Sequence, residues 1–218
     1  MESLEKYADF FEAAYPDYAD ARYSKIRMAL SLYDGEGAED FVMSSDFERA
    51  VALMLPVILI KNYKSQIPFP ENIPAVIKAF FMVKTARVNP DDIFEQLRPA
   101  FSHLLSLQGF QLPTVSAVLH FFHPAHFPIV DRNVQSACEL LIRQHPESFA
   151  GYAPPVMPAP GTSIDNKLKK YLDFIRVIDR IMELHPPGVL SERYREMDKA
   201  LMVLGVSELR NKAEALSL

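Results

Sequence analysis

Cysteine is nearly missing from this chain. Its 218 residues include one, Cys138, so no disulfide can close within the sequence, and no cluster needing several thiolate ligands can be held. That usage fits a reducing compartment, and a cytoplasmic location is expected. Strand signals are scarce as well. Alternating β-branched runs are few, and Asp34-Gly35 sits in a glycine-rich loop rather than between two such runs. Long apolar stretches are missing too: the most hydrophobic run, Val51 to Ile60, is too short to span a bilayer and contains Pro56. The first residues, MESLEKYADFF, have neither a basic n-region nor an apolar h-region, so no signal peptide is expected. Positive charge is not in excess either. A net charge of −5 and a pI near 5.7 count against a general nucleic-acid coat, which depends on cations neutralising phosphates. They leave open a local basic face.

What is present in quantity is helical periodicity. Hydrophobic residues make up 49% of the chain and charged ones 23%, enough for a core without metal or disulfide staples. From Glu2 to Tyr15, Leu4, Tyr7, Phe11 and Ala14 fall on one face, and Pro16 opens a second helix to about Tyr33. After the loop Asp34 to Gly37, Ser45-x-x-Glu48 reads as a capping box for a helix to about Tyr63, irregular at Pro56. A proline-punctuated stretch, Ile67 to Pro74, leads to helices at about 74–85 and 91–107. A helical hairpin follows at 104–119, then a helix from Asp131 to about His145. The proline-rich connector 153–161 should be extended, exposed or wrapped on the surface. The C-terminal part, 163–218, should hold helices at 163–185 and 190–204 and a shorter helical tail. The expected fold is all-α, with about nine helices in a single unit spanning 1–218.

The segment from Leu104 to Leu119 has the layout of a compact αα-hairpin. Gly109 can supply positive φ where the first helix ends, Pro113 suits the start of the second, and Ser116 and Ala117 permit close approach. The second helix should stop at His123-Pro124. A short extended piece, His126-Phe-Pro-Ile-Val, then delivers Asp131 to the start of the next helix. In this combination, residues 104–134 resemble the helix-hairpin-helix and downstream Pro-Val-Asp element of base-excision DNA glycosylases. The stretch His-Phe-Pro-Ile-Val-Asp-Arg-Asn-Val is especially similar to adenine-mismatch glycosylases. A broader likeness to an uncharacterised bacterial branch runs from about residue 45 onward. It is carried by Lys84-Thr-Ala-Arg87, the hairpin, Ile-Val-Asp-Arg and Tyr194-Arg-Glu-Met-Asp-Lys-Ala-Leu201.

The resemblance implies a helix-hairpin-helix glycosylase-like fold with two helical lobes meeting at a cleft, and duplex DNA as partner. Its implied sites are Gly109, Phe110 and Gln111 presenting backbone to a phosphate, Lys84, Arg87 and Arg132 as further nucleic-acid contacts, and Asp131 as the essential carboxylate. Asp131 lies 18 residues beyond Pro113, the separation the family keeps between its lyase lysine and its aspartate. Proline cannot form a Schiff base, so any enzyme here would be a monofunctional N-glycosidic hydrolase with water as nucleophile, without lyase activity. The chain also departs from the family's Gly-hydrophobic-Gly turn, reading Gly109-Phe110-Gln111.

Each candidate has a plainer reading beside the chemical one. Asp131 opens a helix and reads equally as an N-cap, and Lys84 and Arg87 sit where cations favour a helix C-terminus. His120, His123 and His126 are spaced His-x-x-His-x-x-His, but Pro124 interrupts the helix between the last two. No metal and no cofactor is therefore expected. Phe121, Phe122 and Phe127 read as core, Met28, Met43, Met54 and Met82 as gap-fillers, and Glu183 and Glu192 as solvated faces. Two other functions stay open: a non-catalytic binding module for nucleic acid or protein, and a purely structural all-α protein.

Overall fold

A computed structural model of the chain describes residues 4–15, 23–24, 93–107, 109–186 and 193–216. Among these residues all regular structure is α-helical, in six helices: α1 (Glu5–Ala14), α2 (Ile93–Ser106), α3 (Leu112–Phe122), α4 (Arg132–Gln144), α5 (Ile164–Leu184) and α6 (Arg193–Leu216). This corrects the expected glycosylase-like, two-lobed arrangement of about nine helices to an all-α chain with six helices among the described residues. Part of the difference is physical. The helix expected to stop at residue 204 and the separate tail after it are one helix, because α6 runs straight through Gly205. Of the helix expected within 16–33 only Tyr23 and Ser24 are described, both helical, and the helices expected at 45–63 and 74–85, the loop 34–37 and the four methionines lie outside the described residues.

The chain divides into two compact units. One comprises Met1–Asp20 and Pro124–Leu218, the other Ala21–His123.

In the second unit, α2 and α3 pack on each other as the two arms of the hairpin. Phe101 and Leu104 of α2 and Leu112, Val115 and Val118 of α3 are buried. So are Ser116 and Ala117, whose small side chains suit the close approach of the arms. Pro99 lies inside α2 on the exposed side, and the helix continues past it. Near the end of α3, buried His120 lies 3.0 Å from the hydroxyl of buried Tyr23 through its Nε2.

In the first unit α6 is central. It packs most extensively on α4, then on α1, and less on α5. Leu4, Ala8 and Phe11 place one face of α1 in the core, the i, i+4, i+7 spacing of an amphipathic helix. Ser163 caps α5 by accepting the Asn166 amide at 3.4 Å, and Leu168, Tyr171, Phe174, Ile178 and Ile181 form its buried stripe. Burial of each large side chain of this kind contributes about 1.5–3 kcal/mol. Among the described residues no helix is long and apolar enough to cross a membrane.

Candidate functional site

The hairpin turn is built by local rules. The Leu107 amide donates to the Leu104 carbonyl at 3.2 Å as α2 ends, and Gly109 then turns the chain at φ 81°. At that φ a side chain would be strained, so glycine is required here. The Phe110 amide donates back to the Leu107 carbonyl at 3.1 Å, closing the turn, and its ring is fully buried. Gln111 is extended and occupies the N-cap position of α3, where its side chain makes no capping bond. Pro113 is the second residue of the helix, one place later than the sequence reading put it. Phe110, one of the residues implied to face a phosphate, is thus committed to the protein itself through both its amide and its ring.

Asp131 sits in the other unit. The extended piece Phe127 to Val130 is buried, and the Tyr171 hydroxyl of α5 donates to the Pro128 carbonyl at 3.0 Å, pinning the approach to α4. Burial raises the pKa of that hydroxyl well above the usual tyrosine value, so it stays a donor. Asp131 itself is extended, at φ −154° and ψ −170°, and half-buried. Its Oδ1 accepts the amides of Asn133 at 2.9 Å and Val134 at 3.0 Å. Both belong to the first turn of α4, so the carboxylate is the N-cap of that helix. Arg132, the first residue of α4, is exposed. Lys84 and Arg87 lie outside the described residues.

No family model matches the chain, and neither a curated protein nor a solved structure matches it. The likeness of residues 104–134 therefore stands on those residues alone, and the two-lobed glycosylase architecture is not carried further.

The three spaced histidines have different local partners. His120 is paired with Tyr23, His123 is the half-buried C-cap of α3, and the His126 ring lies 6.3 Å from that of Phe127. Among the described residues no group of three or more His, Cys, Asp or Glu side chains is placed to hold a metal ion. Cys138 is fully buried on α4, and desolvation pushes its thiol far above the normal range, with Glu139 adding to the effect. It is an inert core residue rather than a nucleophile. Phe121 and Phe127 are buried, and Glu183 is exposed and paired with Arg180 at 2.7 Å. Glu192 lies outside the described residues.

Sequence reasoning missed a cluster of buried charges at the start of α6. Arg195, Asp198 and Lys199 are all buried. Arg195 lies 3.4 Å from Asp198 and stacks its guanidinium over the Phe11 ring of α1, 5.2 Å from the centroid. Lys199 meets Glu196 at 2.8 Å, and Tyr194 donates to Asp179 of α5. Further along, Glu208 is buried and takes Arg143 of α4 at 2.8 Å. No signal in the sequence pointed to it: Tyr194, Met197, Ala200 and Leu201 share one helical face and Arg195, Glu196, Asp198 and Lys199 the other, the pattern of an ordinary helix with a solvated charged side. These pairs bind α6 to its neighbours and to itself.

Proposed function

We propose that this chain is a non-catalytic helical binding module for a protein partner, in which Asp131 serves as a helix cap. The observation that carries this reading is the pair of amide hydrogen bonds into Asp131 Oδ1, which gives the one candidate catalytic carboxylate a structural role as the cap of α4. Three further facts point the same way. Proline stands at position 113, where a lyase mechanism would need an amine. The Phe110 amide is consumed inside the hairpin turn. The net charge of −5 opposes the counterion-release term that dominates binding to duplex DNA.

The test is direct. Wild-type protein should release no base from a panel of damaged and mismatched duplexes, and should not retain duplex even at low salt. Base release that disappears in Asp131→Asn, with the fold unchanged, would restore the hydrolase reading. Duplex binding that weakens steeply with added salt would restore the nucleic-acid reading.

A further inference from the structure

The connector between α4 and α5 has a conformation set almost entirely by its own residues. Pro154, Pro155, Pro158 and Pro160 have φ locked near −65°, while Ala153, Pro154, Met157 and Ala159 each precede a proline and are confined to extended backbone. Only Val156 escapes both rules, and its branched Cβ favours extended geometry as well. Residues 152–159 are neither helix nor strand, no cis peptide occurs among the described residues, and Gly109 and Gly151 are the described residues with positive φ. A run of trans, proline-set backbone of this kind is a polyproline II helix, with three residues per turn.

Exposure along the segment follows that three-residue period. Ala153, Val156 and Ala159 are all exposed, with Val156 at 49%. Pro154 and Pro160 are exposed and Met157 between them is half-buried, while the third edge turns inward through buried Pro155 and half-buried Pro158. One edge of the ridge therefore faces outward, carrying Ala153, Val156 and Ala159 at three-residue intervals, with exposed Pro154 beside it. The ridge is also fastened. The Met157 amide donates to Gln135 Oε1 of α4 at 2.8 Å, and Gln135 is oriented by its own bond to Glu139 at 2.7 Å. At the entry the Tyr152 amide donates to the Phe149 carbonyl, with Arg176 over the Tyr152 ring, and at the exit the Thr162 amide donates to the Ala159 carbonyl.

We propose that residues 153–159 are a preformed polyproline II ligand, taken by an aromatic-lined groove on a partner protein. The proposal names the partner class of the binding module above and rests on that reading. Other modes fit less well. Three of these seven residues lack an amide hydrogen and the Met157 amide is taken by Gln135, so the segment cannot add as a strand to a sheet edge. From Gly151 to Ser163 there is no charged side chain, so neither phosphate nor an acidic or basic surface is its counterpart. What it offers is a fastened apolar ridge on which Ala153, Pro154, Val156 and Ala159 are exposed. Aromatic grooves recognise that shape, and the ordering cost has been met before binding.

The chain has no tryptophan, so groove indoles of a partner can be followed without background. The experiment titrates the full-length protein into isolated SH3 and WW domains whose grooves carry tryptophan, reading indole fluorescence. A saturable change is expected. Val156→Asp, at an exposed position, should weaken it by about tenfold or more, as loss of a central anchor does. Phe10→Ser, exposed on α1, should leave it unchanged, and circular dichroism should show both variants fully helical. No saturable change with any probe, or equal binding by Val156→Asp, overturns the proposal. If the probes fail and the protein also ignores duplex DNA, only the ridge is refuted. If the protein releases base or retains duplex, the wider protein-binding reading fails, whatever the probes do.

Discussion

Asp131 separates a structural from a catalytic carboxylate by the substitution it tolerates. Asn caps a helix about as well as Asp, because either side chain presents an oxygen to the first-turn amides. As the cap of α4, Asp131→Asn should leave stability nearly unchanged, while Asp131→Ala should cost about 1 kcal/mol, read as a lower urea midpoint at constant m. Equal losses in both variants would mean that the negative charge, rather than the capping oxygen, is what the fold needs there. The residue was legible in the sequence because its place at a helix start gives the cap, while the catalytic reading came only from the resemblance of residues 104–134. The two amide distances establish the cap and do not bear on catalysis, which base release with Asp131→Asn as control would read. The implied phosphate-facing role of Phe110 was harder to judge, because whether its amide is used by the turn depends on the carbonyl of Leu107.

At the scale of elements, local rules carried the hairpin and the starts of helices. Gly109 with its positive φ, Pro113 in the first turn of α3 and Ser163 capping α5 each obey a preference that acts over a few residues. The misreading of α6 has the opposite cause. Glycine costs a helix interior about 1 kcal/mol relative to alanine, which makes Gly205 look like an end. A Cβ at that position would fall 1.8 Å from the Asn133 carbonyl oxygen and 2.5 Å from its carbon. Glycine is there so that α6 can press its backbone against the first turn of α4, directly after the Asp131 cap. Gly205→Ala should therefore destabilise the protein despite its better helix propensity. Overpacking of 1–3 kcal/mol is typical, and the contact is with backbone that cannot rotate away, so a net loss of about 2 kcal/mol is expected. Chemical denaturation followed by circular dichroism measures it. A neutral or stabilising result would show that the spacing of α4 and α6 is not set at this glycine.

For the whole molecule, the informative feature is that one compact unit is assembled from both ends of the sequence. Met1–Asp20 joins Pro124–Leu218, and α1 lies on α6 with Phe11 buried against the Arg195 guanidinium. No local pattern could have revealed this pairing. The amphipathic face of α1 was readable from Leu4, Tyr7 and Phe11, but its partner was not, because burial of Arg195 and Asp198 runs against the rule that charges face water. The pairing also has a kinetic consequence. Contacts that close a long loop carry an entropic cost before they contribute, so the α1–α6 contact should form after the folding transition state. Truncating a buried Phe costs about 3–5 kcal/mol, and Phe11→Ala should lower stability by that order. Because the contact forms late, the loss should appear as faster unfolding with little change in the refolding rate. Stopped-flow circular dichroism in denaturant jumps would show it, and hydrogen exchange should report weaker protection in α6. Slower refolding that accounts for most of the lost stability would instead place α1 in the folding nucleus, with the two ends of the chain meeting early.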